Sequence, residues 1–279
     1  TNYITGVGFP DESDPNWRYW PADVHVIGKD ITRFHCLYWP AMLMSGGLAL
    51  PRRVVVHGFL TLEGQKISKT TGNILDPVEL AAEFGPDPIR FYLVRDTSFS
   101  SDGDFSRAHL IRRYNDDLGN DLGNLLNRIV AMTGRYRGGA IARPGAIGEP
   151  EANLRIVAEE AARTSAEQIE NWELNTALES IWVLVRRVNQ YLEERKPWSL
   201  AKDPANAELL DTVLWSAAEA TRIAALLLAP FIPQTSDRIY DQLGLDPIAH
   251  GDLASKIGWG SVAFGSVRPG GPLFPRWEE

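Results

Sequence analysis

The hydrophobic pattern changes period twice along the chain. In "DVHVIGKD", residues 23–30, apolar and polar positions alternate and then meet a polar turn, which predicts a short strand. "ITRFHCLYWPAMLMSG" follows with helical spacing, and predicts a buried helix kinked at Pro40 and ending near Gly46. "RRVVVHGFLTLEG" is a β-branched run, so a second strand and a hairpin arm are expected. Strand, helix and strand in this order predict a parallel crossover unit.

Two proline-led helices come next. "DPVELAAEFG" has Asp76 placed as N-cap, Pro77 in the first turn, Glu79 at the capping-box position and Gly85 at the stop. "DPIRFYLVR" repeats the device with Asp87 and Pro88. "SFSSDGDFS", residues 98–106, reads as a polar loop and a domain boundary. Beyond it, helical patterns cover 106–133, 149–172, 174–196, 205–229 and 233–243, so the second part reads as a helical bundle. The fold class is therefore α/β followed by all-α. The expected domains are 1–105 and 106–250, with a Gly/Pro-rich tail over 251–279.

Composition narrows the function classes. The chain has 279 residues, 44% of them hydrophobic, enough for a sizeable core. No apolar stretch is long enough to cross a bilayer, so no membrane partner is expected. It opens on "TNYITGVGF" without Met or a signal peptide, and is expected to be a fragment of a longer protein. The single cysteine, Cys36, lies in an apolar helical context and fits a reducing, cytoplasmic setting. The net charge of -8 argues against indiscriminate nucleic-acid binding. Residues 106–143 nonetheless hold seven arginines against three aspartates, a basic stretch on helical sequence.

The chemistry concentrates in "EGQKISKTTGNILDP", residues 63–77. Lys66 and Lys69 flank Ser68, and glycines lie on both sides. A leaving group as charged as pyrophosphate needs cations that arrive as charge develops, and a glycine-hinged loop can bring two ammonium groups onto ATP. "GKD" at Gly28 is no Walker A loop, since it lacks the hydroxyl residue after the lysine and the upstream glycine. A solvated turn with surface lysines is the competing reading.

"KISKT" resembles the KMSKS signature of class I aminoacyl-tRNA synthetases, with Ile67 and Thr70 as its two departures. Together with "DVHVIGKDITRFHCLYWPAML", "TGNILDP", "FGPDPIRFYLVR", "NDLGNLLNR", "KPW" and "GGPLFPR", the chain is similar to methionyl-tRNA synthetases over nearly its whole length. The resemblance implies the second half of a Rossmann-like catalytic domain, then a helical anticodon-binding domain. No HIGH tetrapeptide is present, so the resemblance corresponds to the family's C-terminal half. The N-terminal half of the same enzyme is an expected partner, and a zinc knuckle, if the protein has one, would lie there. The implied substrates are methionine, ATP with Mg2+ and tRNA(Met), with no metal site in this chain.

By the same resemblance, Lys66, Ser68 and Lys69 are catalytic. Gly28, Lys29, Asp30 and His57 join Lys66 and Lys69 around ATP, and Asp30 suits ribose hydroxyls. His57 ends the second strand, and ligands of parallel sheets lie beyond such carboxyl ends. Tyr3, Ile31, His35 and Trp39 are implied around methionine, a thioether that needs a polarizable slot with one polar check. Ile31, His35 and Trp39 share a helix face at four-residue spacing. Core packing is the alternative for Ile31 and Trp39, and a hydrogen-bonded core histidine for His35. Asn120, Asn124 and Arg128 also share a face, and Trp198 follows Pro197 in the "KPW" break. Amides read base edges and an aromatic stacks on an unpaired base. The resemblance assigns these four to the anticodon, whereas helix bridging and core packing are the alternatives. Two rivals differ in class or substrate: a non-catalytic tRNA-binding module and another class I synthetase.

Overall fold

A computed structural model describes residues 2–67, 75–249 and 251–278. A short N-terminal helix, α1 (Asn2–Thr5), precedes strands β1 (His25–Gly28) and β2 (Val54–His57), which pair in parallel with Gly28 opposite His57. The crossover between the strands runs through a 3₁₀ turn (Lys29–Ile31), a wide π-type turn (Phe34–Tyr38) and helix α2 (Trp39–Ser45). The proline causes the wide turn. Trp39 N–H bonds Phe34 O, and Pro40 then falls in the first turn of α2, where its missing donor costs nothing. The helix is not buried as its composition predicts. Phe34, Leu37, Tyr38, Met42 and Met44 are exposed, and so is Cys36; only Trp39 and Leu43 reach the interior.

The β-branched run holds more than one strand. After β2 come β3 (Leu60–Leu62) and β4 (Gln65–Lys66), joined by a two-residue turn at Glu63 (φ 50°) and Gly64 (φ 73°). Both residues turn with positive φ, the geometry that matches the twist of a tight hairpin. The segment expected as a loop contains β5 (Gly103–Phe105), which pairs in parallel with β3. Its alternation is too short to read against its serines and glycine.

Helices α3 (Pro77–Phe84) and α4 (Pro86–Asp96) follow. Asp76 caps α3 as expected, its carboxylate accepting from Val78 and Glu79 N–H at 2.8 and 3.3 Å. Asp87 does not cap its own helix. Pro86 already occupies the first turn of α4, so Asp87 lies inside the helix, buried, and accepts instead from Thr235 N–H at 2.6 Å. Thr235 lies in the first turn of α11 (Pro233–Gln242), where the free N–H groups favour a carboxylate.

The bundle comprises α5 (Arg107–Arg113), a π-type stretch (Tyr114–Gly123), α6 (Asn124–Arg137), α7 (Glu149–Glu170), α8 (Leu174–Arg195), the short α9 (Pro197–Leu200), α10 (Ala207–Leu228) and α11. Helix α10 is buried from Thr212 to Leu228 and forms the axis, as an all-round apolar helix must. One continuous core runs from Leu80 to Phe274, so α3 and α4 share it with the bundle; Ile4, Trp39 and Leu43 form a separate small cluster. The tail holds a short helix, α12 (Asp252–Lys256), then returns to stack Trp277 on Phe84 at 4.3 Å.

The tail is pinned by a fully buried ion pair. Arg222 donates to both oxygens of Glu219 at 2.7 and 2.8 Å, and to Lys256 O and Gly258 O. Glu219 accepts in turn from Gly260 N–H. Breaking such a pair leaves an unpaired buried charge. Arg222→Ala is therefore expected to destabilise the protein by roughly 3–5 kcal/mol. Glu219→Leu combined with Arg222→Met should cost less than either single loss, as read by urea unfolding.

Candidate functional site

The carboxyl ends of β1 and β2 form the first half-site. Gly28 and His57 are the last paired residues. Gly28 has an ordinary φ of −73°, and the Asp30 carboxylate lies close over it: a Cβ there would lie 2.8 Å from Asp30 Oδ1. The Asp30 carboxylate thus folds back over the strand end beside His57, whose Nδ1–H donates to Gly58 O at 2.8 Å. Lys29, expected to line the ATP site, pairs with Asp102: its ammonium lies 2.7 and 2.6 Å from the two carboxylate oxygens. The lysine hairpin rises next to this edge. Asp104 Oδ1 accepts from Thr61 Oγ1–H at 2.6 Å and Gly64 N–H at 2.8 Å, and these bonds hold its carboxyl below the usual carboxylate range. The backbone of Lys66 closes β4; Ser68, Lys69 and Thr70 lie outside the described residues.

One turn along the crossover is the second half-site, a cavity of about 460 Å³ lined by Asn2, Tyr3, Phe34, His35, Trp39 and Met42, among others. His35 Nδ1 lies 3.1 Å from Ile31 O, and a carbonyl only accepts, so Nδ1 carries the hydrogen. In the neutral ring Nε2 then accepts from Tyr3 O–H at 2.9 Å. The tyrosine oxygen keeps its lone pairs for the cavity. Trp39 serves both readings: it lines the cavity and packs with Ile4 and Leu43, edge-on to Trp20. Ile31 contributes its carbonyl and is absent from the cavity lining.

His25 was not among the expected site residues. Its ring lies 4.7 Å from Tyr3 and 5.8 Å from His35, buried, with Nε2 unpartnered among the described residues. The signal was available: the two-residue period of "HVIG" puts His25 and Ile27 on the buried face together. Burial first, and the His35 ring second, push the His25 pKa below the ordinary histidine value.

The third site is on the bundle. Asn120 lies in the π-type stretch, Asn124 opens α6, and both are exposed. The expected stripe therefore crosses a change of helix type instead of following one regular helix. Asp121, beneath it, takes Trp182 Nε1–H and Asn189 Nδ2–H from α8, at 3.2 and 3.0 Å. Arg128 pairs with Glu193 at 2.5 Å, and its guanidinium lies 5.7 Å from the centre of the Trp198 ring. Trp198 is half-buried in α9 rather than free on a loop. Part of the surrounding basic stretch is neutralised by other elements: Arg107 pairs with Glu83, Arg113 with Asp96, and Arg137 with Asp211.

Two family models match the chain in succession, and the first includes Asn120, Asn124 and Arg128. The family model "tRNA synthetases class I (M)" matches residues 1–130, and "Anticodon binding domain of methionyl tRNA ligase" matches residues 141–257. The chain is 44% identical to methionine–tRNA ligase of Bacillus subtilis strain 168, over 99% of this chain and 42% of that protein. It is 41% identical to the Brucella suis biovar 1 ligase, over 100% and 54% respectively. Among solved structures, Mycobacterium tuberculosis methionyl-tRNA synthetase in complex with methionyl-adenylate superposes with a TM-score of 0.92 at 40% identity, covering 99% of this chain and 54% of that one. The chain thus spans about half the length of the relatives it matches. No helix among the described residues is long and apolar enough to cross a membrane.

The histidine pair yields a pH prediction. A neutral, buried His25 has a folded pKa below its unfolded one, so its stabilising contribution is complete above the ordinary histidine value. It is lost as pH falls through the window between the two values. His25→Gln should reduce the loss of unfolding free energy measured between about pH 7.5 and 5.5. An unchanged difference would show that His25 is not held neutral.

Proposed function

Because this chain belongs to the methionyl-tRNA synthetases of class I, we propose that it carries the second half of the adenylation site and the anticodon face of a methionine–tRNA ligase. The observation that carries the reading is that one short crossover, residues 28–39, presents both half-sites. Gly28 and Asp30 face the strand ends, and His35 and Trp39 line the apolar cavity one turn later. A nucleotide at the first and a thioether amino acid at the second would bring a carboxylate to an α-phosphate.

The reaction then runs as two displacements. A methionine carboxylate oxygen attacks the α-phosphorus of ATP, taken as its Mg2+ complex; the bond to the bridging oxygen breaks and pyrophosphate leaves. A ribose hydroxyl of the terminal adenosine of tRNA next attacks the carbonyl carbon, and AMP leaves with the bonding pair. No side-chain nucleophile is needed, and alignment with charge stabilisation does the catalysis. Asp30 is assigned to ribose hydroxyls, His57 and Lys29 to the walls of the ATP site, and Lys66 and Lys69 to the triphosphate, with Ser68 beside them. Tyr3 and His35 supply the polar check on the methionine side chain, with Trp39 shaping its slot and Ile31 orienting His35 through its carbonyl.

Asn120, Asn124, Arg128 and Trp198 are assigned to the anticodon of tRNA(Met). The exposed Phe34, Leu37, Tyr38 and Met42 support an apolar seat for the N-terminal half of the same enzyme. A cytoplasmic location follows from this role.

Methionine-dependent exchange of pyrophosphate into ATP by the complete enzyme tests the proposal. Residues 1–279 alone are expected not to catalyse it, and robust exchange by them would contradict the half-site assignment. In the complete enzyme, Lys69→Ala should slow adenylate formation by about 10²–10³ with little change in methionine affinity. Trp198→Ala should weaken aminoacylation of tRNA by roughly one to two powers of ten, the worth of one stacked base, and leave pyrophosphate exchange intact. If instead melting temperature and both activities fall together, Trp198 is a packing residue only.

A further inference from the structure

Lys29 points away from the role that a lysine in a nucleotide-binding turn invites. Its ammonium contacts both oxygens of Asp102, and it also lies 4.7 Å from the centre of the Phe59 ring. The same carboxylate accepts Phe59 N–H at 2.8 Å, and Gly103 N–H donates to Phe59 O at 2.8 Å. Both backbone groups of Phe59 are therefore held by residues 102 and 103. Gly58 lets the two backbones pass closely, since a Cβ there would lie 2.1 Å from Ser101 O. Beyond the pair Gly28–His57 the ladder between β1 and β2 ends, and two backbones leave it in different directions. Asp102 joins them again: Lys29, one residue past the first strand end, and Phe59, two residues past the second.

We propose that Lys29 and Asp102 form a clasp rather than a phosphate site, with Asp102 a positioning residue that fixes Gly28, Asp30 and His57 relative to one another. This deepens the ATP reading of the strand ends and rests on it. Both side chains are about half exposed, so the pair contributes little to global stability. Its effect is local. It holds the backbone that carries Asp30 against the backbone that carries His57, and reaction rates are sensitive to displacements of about 1 Å at such places. The bonds from Lys29 and Phe59 also keep the Asp102 carboxyl below the usual range, so the clasp stays charged near neutrality.

A double-mutant cycle in the complete enzyme separates the clasp from a direct phosphate contact. Lys29→Met and Asp102→Ala are each expected to lower kcat/KM for ATP by roughly ten- to a hundredfold in pyrophosphate exchange. KM for methionine and the melting temperature should hold, and the double variant should be no worse than the poorer single one. Loss in Lys29→Met with unchanged or tighter ATP use in Asp102→Ala would overturn the proposal, because it would mean that the freed ammonium binds the triphosphate. Additive losses, or parallel losses for methionine and melting, would overturn it as well. Amide hydrogen exchange reads the clasp without the reaction: Phe59 N–H should lose protection in Asp102→Ala, and its unchanged protection would refute the clasp. Should the unaltered enzyme show no methionine-dependent exchange, the ATP reading fails by itself, and the amide measurement still decides the clasp.

Discussion

Helix α4 is the constraint on which both parts of the molecule depend. At its start, Asp87 caps α11 from outside, and Arg90 donates to Phe231 O at 2.9 Å and Pro230 O at 2.7 Å. In its middle, Phe91 is fully buried and lies 4.8 Å from Trp182 of α8. Towards its end, Arg95 pairs with Asp117 and Glu179. Tyr92 faces the other way: its hydroxyl donates to Asp104 O and accepts from Ser106 N–H. One helix thus joins the bundle to the strand that buttresses the lysine hairpin. A buried carboxylate on helix N–H groups and an arginine on carbonyls are charge-assisted bonds, and losing one partner leaves the other unsatisfied.

This weld gives the sites their division of labour. The strand-end edge and the Tyr3–His35 cavity belong to a thin α/β layer whose own apolar cluster is small. The face with Asn120, Asn124 and Arg128 belongs to a deep helical core. Precision at the first comes from polar ties, Asp102 and Asp104, more than from packing. At the second it comes from packing, with Arg128 held between Glu193 and Trp198. The ion pairs of Arg107, Arg113 and Arg137 lower the positive charge around this face, in keeping with the negative net charge.

Much of this was legible in the residues. The β-branched run, the Asp76–Pro77 start and the periodicity of the long helices placed the crossover, α3 and the bundle correctly, because local and tertiary preferences agree there. The failures share one cause: a partner distant in sequence took over a group with a good local use. Asp87 caps α11, 148 residues away, instead of its own helix. The serines and glycine of 98–106 hid β5, whose ladder exists only because β3 lies beside it. His25 was overlooked because a buried histidine shows its purpose only when Tyr3 and His35 close around it. The wide turn at Phe34–Tyr38 is legible afterwards from Pro40, whereas the longer one at Tyr114–Gly123 has no such local marker.

The central claim is that α4 holds the α/β layer and the bundle at one fixed separation. A distance distribution between spin labels measures this directly. The labels would sit on Cys36, which is exposed, and on a cysteine introduced by Lys202→Cys, on the exposed turn after α9. A single narrow distance is expected in the otherwise unaltered chain, and a broad one once Asp87→Ala and Arg90→Ala remove the clamps at the start of α4. A broad distribution with the clamps intact, or a narrow one that survives their loss, would contradict the account.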